Sequence, residues 1–426
     1  MHEEFASPTL PLRAMMIDFN SYFASVEQQL DPKLRGRPVG VVPMLADSTC
    51  CIAASYEAKA YGVKTGTRVS DAKKMCPDIV FIEAQHHKYV KMHHQAIAIV
   101  NTVLPVDEVL SIDEMCCVLT PRWQDPAIAQ DTARQIKRAL IHGLGECMKT
   151  SIGIAPNRFL AKLASNMQKP DGLVTIQSSE LPHVLYDLKL NDLHGVGKNM
   201  DLRIREYGIQ TVEALCALNV SQLRTIWGGV GGEDLWCKLR GMTVKAAATN
   251  TRSLGHSHVL PPDDRNRVGA RATLDRLTQK AAMRLRHGNF FATGMSLSVG
   301  FMVKIAGERL YFTDDERFMA TDDTRDFLEA LRVMWTRLPK KGVYAMAKPL
   351  KVGLVLHGLL PRQQTTLDLF APQAQAQSAS LCKAVDSLNQ RFGKNAIYYG
   401  EAHNALDSAP MRIAFNRIPD LVVETL

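Results

Sequence analysis

Nowhere in this 426-residue sequence do 18 apolar residues follow one another, so no segment reads as a membrane-spanning helix. The start, MHEEFASPTLPLR, is acidic and broken by proline where a secretory leader is basic and then apolar, and the expected location is the cytoplasm. There is no CxxC pair to grip zinc. The nine cysteines, an odd number, occur as the neighbours Cys50-Cys51 and Cys116-Cys117 or singly, and read as reduced, small buried hydrophobes. No internal repeat stands out beyond two glycine hairpins. What is present is ordinary globular composition, 22% charged and 46% hydrophobic, at a length that suits two to four domains.

Charge is unevenly spread. Residues 1–240 hold 26 basic and 26 acidic side chains, and residues 241–426 hold 25 basic and 17 acidic, so the whole net charge of +8 lies in the C-terminal part. A one-sided basic balance suits an anionic partner such as nucleic acid, although a basic surface also serves solubility.

The hydrophobic pattern places the chemistry. RAMMID, ending on Asp18, reads as a buried strand delivering an acid at its C-terminal end, and SYFASVEQQL has helical spacing. RGRPVGVVP through MCP forms a small α/β insertion. After a helix over 87–103, VLSIDEMCCVL reads as one strand with Asp113 and Glu114 inside it, followed by the helix TARQIKRALIHGL and the strand KTSIGIA. The expected class is α+β. Residues 177–243 turn helical, and KAAATN at 245–250 has linker composition. Beyond it come the strands SLGHSHVL, MSLSVGFMVKI and PLKVGLVLHGLL and helices at 270–286 and DTRDFLEALRVMWTRL, a second and basic α+β domain whose Lys and Arg on alternating strands suit phosphates. QTTLDLFAPQAQAQSAS reads as a low-complexity tether before a last helix, LCKAVDSLNQRF.

Asp18, Asp113 and Glu114 brought onto one sheet could hold two Mg2+ ions, since hard oxygen ligands suit that metal and two-metal sites serve nucleotidyl transfer. By spacing alone they could equally be caps or solvated strand edges. Gly195-Val196-Gly197, between Leu193 and Leu202, fits a helix-hairpin-helix whose backbone N–H groups approach a DNA phosphate, or a plain turn; WGGVGGED is a poorer second copy. His86, His87, His93 and His94 recur seven apart on one helix face, without an acid or cysteine to complete a zinc site.

The order of five segments goes further. DFNSYFASVE, ASYEAKAYGVKTG, LPVDEVLSIDE, SIGIAPNRFLAKLASNMQKPDG and LHGVGKNMDLRIREYGIQTVEAL resemble, in sequence and spacing, the Y-family (UmuC/DinB-type) translesion DNA polymerases over residues 12 to 360. That resemblance implies a right hand: palm at 12–21 and 86–176, fingers at 22–85, a thumb with helix-hairpin-helix at 177–243, a linker at 244–250, a little finger at 251–360, and a clamp-binding tether and tail at 361–426. It implies a monomeric, low-fidelity enzyme acting on primer-template DNA and deoxynucleoside triphosphates with two Mg2+ ions in damage bypass and the SOS response. By the same resemblance Asp18, Asp113, Glu114 and the carbonyl of Phe19 bind metal. Tyr56, Lys59 and Lys169 bind the triphosphate, Phe23 is the steric gate against a 2'-OH, and Ile52 lines the roof over the templating base. Gly195, Val196, Gly197 and Lys198 contact DNA. The chain departs from the pattern at Asn20, where many members carry a second acid, at Lys59, where Arg is common, and at Met115-Cys116-Cys117, in place of an aromatic. Thr366-Leu367-Asp368-Leu369-Phe370 resembles the bacterial clamp-binding pentapeptide, with Thr366 where that motif has Gln, and Leu367, Leu369 and Phe370 as apolar anchors on the sliding clamp.

Overall fold

A computed structural model describes residues 10–47, 49–245, 252–305, 307–364, 372–392, 396–406 and 418. The described residues divide into two compact units, 10–245 with 418, and 252–406.

The first unit is organised by a five-stranded sheet in the order β5-β6-β1-β7-β8, with β1 Ala14–Phe19, β5 Glu108–Val109, β6 Glu114–Val118, β7 Thr150–Ala155 and β8 Leu173–Thr175. All six residues of β1 and of β7 are buried. A strand covered on both faces reads as a near-continuous apolar run, which is why AMMIDF and TSIGIA carry so few polar groups. Ala14, Met16 and Cys116 join one core with helix α6, Arg158–Met167, and with the helices α7 Lys198–Glu206, α8 Val212–Cys216, α9 Val220–Trp227 and α10 Val230–Leu239. Met15, Ile17, Met115 and Ile152, pointing the other way, are fully buried too. Helix α5, Pro126–Leu144, packs on β7 and on α4, His86–Asn101; it starts at Asp125, whose carboxylate accepts from the backbone of Ala127 and Ile128, with Pro126 at the first helical position. A separate three-stranded sheet, β3-β2-β4 (β2 Val39–Val42, β3 Ala53–Ala54, β4 Val80–Glu83), carries the short helices α2 Tyr56–Ala60 and α3 Val69–Met75. Between β1 and this sheet runs α1, Tyr22–Leu30.

The structure corrects the reading of VLSIDEMCCVL as one strand. Leu110 to Asp113 form a turn, closed by bonds from the Leu110 and Ser111 amides to the Glu114 carbonyl (2.9 and 3.2 Å). Asp113 therefore sits in a hairpin turn and Glu114 opens β6.

The second unit has a four-stranded antiparallel sheet, β11-β10-β12-β9 (β9 Ser253–Val259, β10 Phe290–Ile305, β11 Glu308–Thr321, β12 Pro349–His357), under helices α11 Arg267–His287 and α12 Thr324–Arg337. Strand β11 was not expected from its charged sequence, ERLYFTDDERFMAT. Its side chains alternate between partly covered and exposed, the mark of an edge strand with one solvated face. The last helix spans Pro372–Phe392 and so begins inside the segment expected to be a tether. It is anchored on α11 by Arg286, which grips Asp386 through two hydrogen bonds of 2.7 and 2.8 Å. All nine cysteines are free, six of them buried. No helix among the described residues is long and apolar enough to cross a membrane.

Candidate active site

Antiparallel pairing of β1 with β6 sets Asp18 directly opposite Glu114, and the Phe19 amide donates to the Asp113 carbonyl (2.9 Å). Two segments almost a hundred residues apart in sequence thus deliver three carboxylates to one end of the sheet. Asp18 is only 3% exposed. The ring of Phe19 is buried in the core, which leaves only its backbone to the site.

Two lysines answer this negative charge. Lys162 Nζ bonds both to Asp18 Oδ2 and to Glu114 Oε1, the latter at 2.6 Å, while Lys169 Nζ takes the other oxygen of Asp18 at 2.7 Å. Burial alone would push Lys162 down, but Asp18 and Glu114 together outweigh it and hold the ammonium above its ordinary value. Among the described residues no cation pairs directly with Asp113, which feels Lys162 only through its charge. Burial raises its carboxyl above the usual range, Asp18 and Glu114 add to this, and the Ser111 hydroxyl donating at 2.5 Å offsets part of it.

The candidate triphosphate binders gather around the same carboxylate. Lys59 Nζ lies 4.3 Å from the Tyr56 ring centroid and donates to Ser21 Oγ (2.6 Å). Desolvation and then the Asp18 charge raise the Tyr56 phenol. Lys59 is lowered by desolvation and next by the Lys169 ammonium, so the two lysines and the phenol share one field with Asp18. Phe23 projects from α1 half-buried, its ring stacked on Tyr89 with centroids 4.5 Å apart and His86 edge-on at 6.1 Å. Tyr89 is fixed in turn by donating to Glu27 Oε1 at 2.6 Å. Ile52 immediately precedes β3 of the small sheet, its amide bonded to the Val41 carbonyl (2.8 Å) and its side chain half-buried.

Asn20, the departure from the acidic pattern, has a positioning task. Its Oδ1 accepts from the Asp171 amide (2.7 Å) and its Nδ2 donates to Ser151 Oγ (3.0 Å); Ser151 Oγ also accepts from the Gly172 amide (3.3 Å). These bonds pin the loop that presents Lys169. An Asp here would lack the donor that reaches Ser151.

In the helical region Gly195 adopts φ +91°, with no atom within 4 Å of where a Cβ would stand there or at Gly197. The backbone of this turn is open to approach, and Gly197 caps the start of α7 where Lys198 begins the helix. Val196 and Leu193 anchor the turn in the core; the helix contributes Ile204, and Leu202, expected as a hairpin residue, is exposed. The second glycine run differs. Gly228 caps α9, and Gly232 is buried so closely against α9 that a Cβ would meet the Leu223 carbonyl at 2.1 Å.

His93 faces the core while His87 and His94 are exposed, so the histidines do not share one side of α4. Among the described residues no three of His, Cys, Asp and Glu converge as they stand into a ready metal cluster; at the carboxylates, Lys162 occupies the place between Asp18 and Glu114. Leu367, Leu369 and Phe370 lie outside the described residues.

Comparison with known proteins matches two family models, the impB/mucB/samB family over residues 17–166 and its C-terminal domain over residues 251–369. DNA polymerase IV of Moorella thermoacetica is 32% identical over 400 residues, covering 90% of this chain and 94% of its own. The chain belongs to the Y-family of DNA polymerases. Its fold is that of the family's right hand: a solved Y-family polymerase chimera of Dbh and Dpo4 superposes with TM-score 0.67 over 82% of this chain and 99% of the other at 22% identity, and an insertion ternary complex of Dbh DNA polymerase with TM-score 0.55 over the same shares at 23%. As a Y-family member the chain is a DNA-directed DNA polymerase of the translesion class, with a divalent-metal dependence that goes with the fold.

Sequence reasoning missed Lys162, Asn20 as a loop anchor, Ser111 and Tyr89. Only Asn20 carried a signal, as a departure from a motif.

Proposed function

We propose that this polymerase inserts deoxynucleotides opposite damaged template bases with low fidelity, using two Mg2+ ions held by Asp18, Asp113, Glu114 and the Phe19 carbonyl. The observation that carries the reading is the β1–β6 register, which sets Asp18 against Glu114 and ties Phe19 to Asp113. The donor set fits the metal. It consists of hard oxygens, burial and then mutual repulsion raise Asp113, and an ammonium already bridges two of the three carboxylates. When bound, Mg2+ makes the primer 3'-hydroxyl a better nucleophile and neutralises charge on the leaving diphosphate.

The chain's own residues supply the rest. Tyr56, Lys59 and Lys169 orient the triphosphate, two ammonium groups and a phenol being suited to scattered phosphate charge. Phe23, stiffened by its stack on Tyr89, packs beneath the deoxyribose where a 2'-OH would clash. Ile52, a modest side chain, leaves room over a distorted templating base. The open backbone from Gly195 to Lys198 takes a DNA phosphate without reading sequence, as a polymerase requires. The insertion ternary complex solved for Dbh supports primer-template DNA and a deoxynucleoside triphosphate as partners here. The domain limits given above, a monomeric state, a cytoplasmic location and docking of Leu367, Leu369 and Phe370 on a sliding clamp belong to the same proposal.

Single-nucleotide extension opposite undamaged, abasic and bulky-adduct templates tests it. Insertion opposite at least one lesion is expected within about a hundredfold of the undamaged rate, a barrier difference under about 3 kcal/mol. Extension confined to undamaged templates would refute damage bypass, and no extension on any template would leave a scaffold in place of an enzyme.

A further inference from the structure

Lys162 stands apart from the lysines the motifs single out. It sits mid-helix on α6 between Ala161 and Leu163, both buried, and α6 is seated on β7 at Gly153 so closely that a Cβ there would lie 2.1 Å from the Ala161 carbonyl. The backbone of Lys162 is thereby fixed relative to the sheet, and the side chain alone can move. That side chain is 12% exposed and crosses to carboxylates 144 and 48 residues away, spanning Asp18 on β1 and Glu114 on β6. A divalent cation shared by these two carboxylates binds oxygen at about 2.0–2.1 Å. An ammonium hydrogen-bonded to the same two groups occupies that volume and repels that charge.

We propose that Lys162 is a built-in competitor for the divalent cation: its ammonium closes the Asp18–Glu114 pair in the metal-free enzyme and must swing away for an ion to enter. The inference rests on the reading of Asp18 and Glu114 as metal ligands. Asp18 keeps Lys169 on its other oxygen, so freeing it from Lys162 does not leave it without a counter-charge. The metal-free site is in this way held together by a cation lying between the buried Asp18 and the partly exposed Glu114, and an ion binds only by exchange with the lysine.

The test is Mn2+ binding to the full chain without DNA or nucleotide, read by electron paramagnetic resonance of the free ion. Lys162→Met, and Lys162→Gln as a second neutral variant should the first fold poorly, are expected to bind Mn2+ at least about tenfold tighter than the parent, because a positive charge has left the site. Lys162→Arg keeps the charge and is expected to gain nothing. Tightening is the opposite of what structural damage produces. Unchanged or weaker binding in both neutral variants overturns the proposal; if the parent's Mn2+ site is nonetheless lost in Asp18→Asn, the metal reading itself stands. Absence of any Mn2+ site that depends on Asp18, in parent and variants alike, overturns both.

Discussion

The two large sheets of the molecule use opposite economies. In the first unit β1 and β7 are buried along their whole length, and the one charged residue they carry, Asp18, is answered by two ammonium groups. In the second unit β9 and β11 alternate, and the solvated face mixes polar side chains such as Ser257, Thr313 and Asp315 with Val259, Tyr311 and Met319. The expectation that Lys and Arg would line the strands of this sheet is met at a few positions, Arg309 and Arg317 on β11 and Lys351 on β12 among them. Much of the basic charge sits instead on α11, where Arg271 bonds Asp275 and Arg286 bonds Asp386. On the proposed function, charge in the first sheet is placed for chemistry, at high cost in burial, whereas polar groups in the second are placed where water or a ligand can meet them.

This difference can be probed through stability. The largest effect belongs to His93, buried in the first unit and pushed down to about 4, by burial first, with the Ile112 carbonyl only partly opposing. Its folded value lies below the unfolded value of about 6.5. The unfolded state therefore takes up the proton first, and stability is lost as pH falls from about 6.5 to 4, by about 3 kcal/mol in all. Chemical denaturation across that range should show this slope in the parent and not in His93→Leu; an equal slope in both would remove His93 from the account. His357, on the second sheet, instead meets Asp315 at the surface (2.7 Å).

A smaller change separates two glycines. Gly153→Ala should cost about 2 kcal/mol, because the new methyl meets backbone atoms of α6 at 2.1 and 2.3 Å that cannot yield without lifting the helix. Gly255→Ala, on the second sheet, meets Val355 Cγ2 at 3.1 Å and the Leu354 carbonyl at 3.3 Å, contacts that a shift of a few tenths of an ångström relieves, and should cost under about 1 kcal/mol. Melting temperatures of the two variants decide; equal losses would mean that the sheets are equally unforgiving.

The same contrast explains what could be read in advance. RAMMID was legible because a strand covered on both faces is written as an apolar run, and an acid ending such a run is conspicuous. The hairpin before Glu114 was not, since Leu110 and Ser111 resemble strand residues and only their bonds to the Glu114 carbonyl reveal the turn. Strand β11 was hidden by TDDER, whose charges are tolerated because Asp315 and Arg317 project to solvent from an edge strand while Asp314 and Glu316, on the partly covered face, pair with Arg337. Lys162 was illegible for a different reason: in an amphipathic helix a lysine reads as solvated, and only tertiary packing across 144 residues turns it inward. Tyr89 likewise gains its task of supporting Phe23 from helix packing and not from any local pattern.

The central claim is that the carboxylates gathered by the β1–β6 register perform the chemistry while other surfaces hold the DNA. Single-turnover primer extension by Asp113→Ala and Glu114→Ala, measured beside primer-template affinity in the same preparations, tests it most directly. Extension should fall by more than about a hundredfold, several kcal/mol of lost barrier reduction, with affinity within about threefold of the parent. Extension at more than about a tenth of the parent rate in either variant would contradict the account.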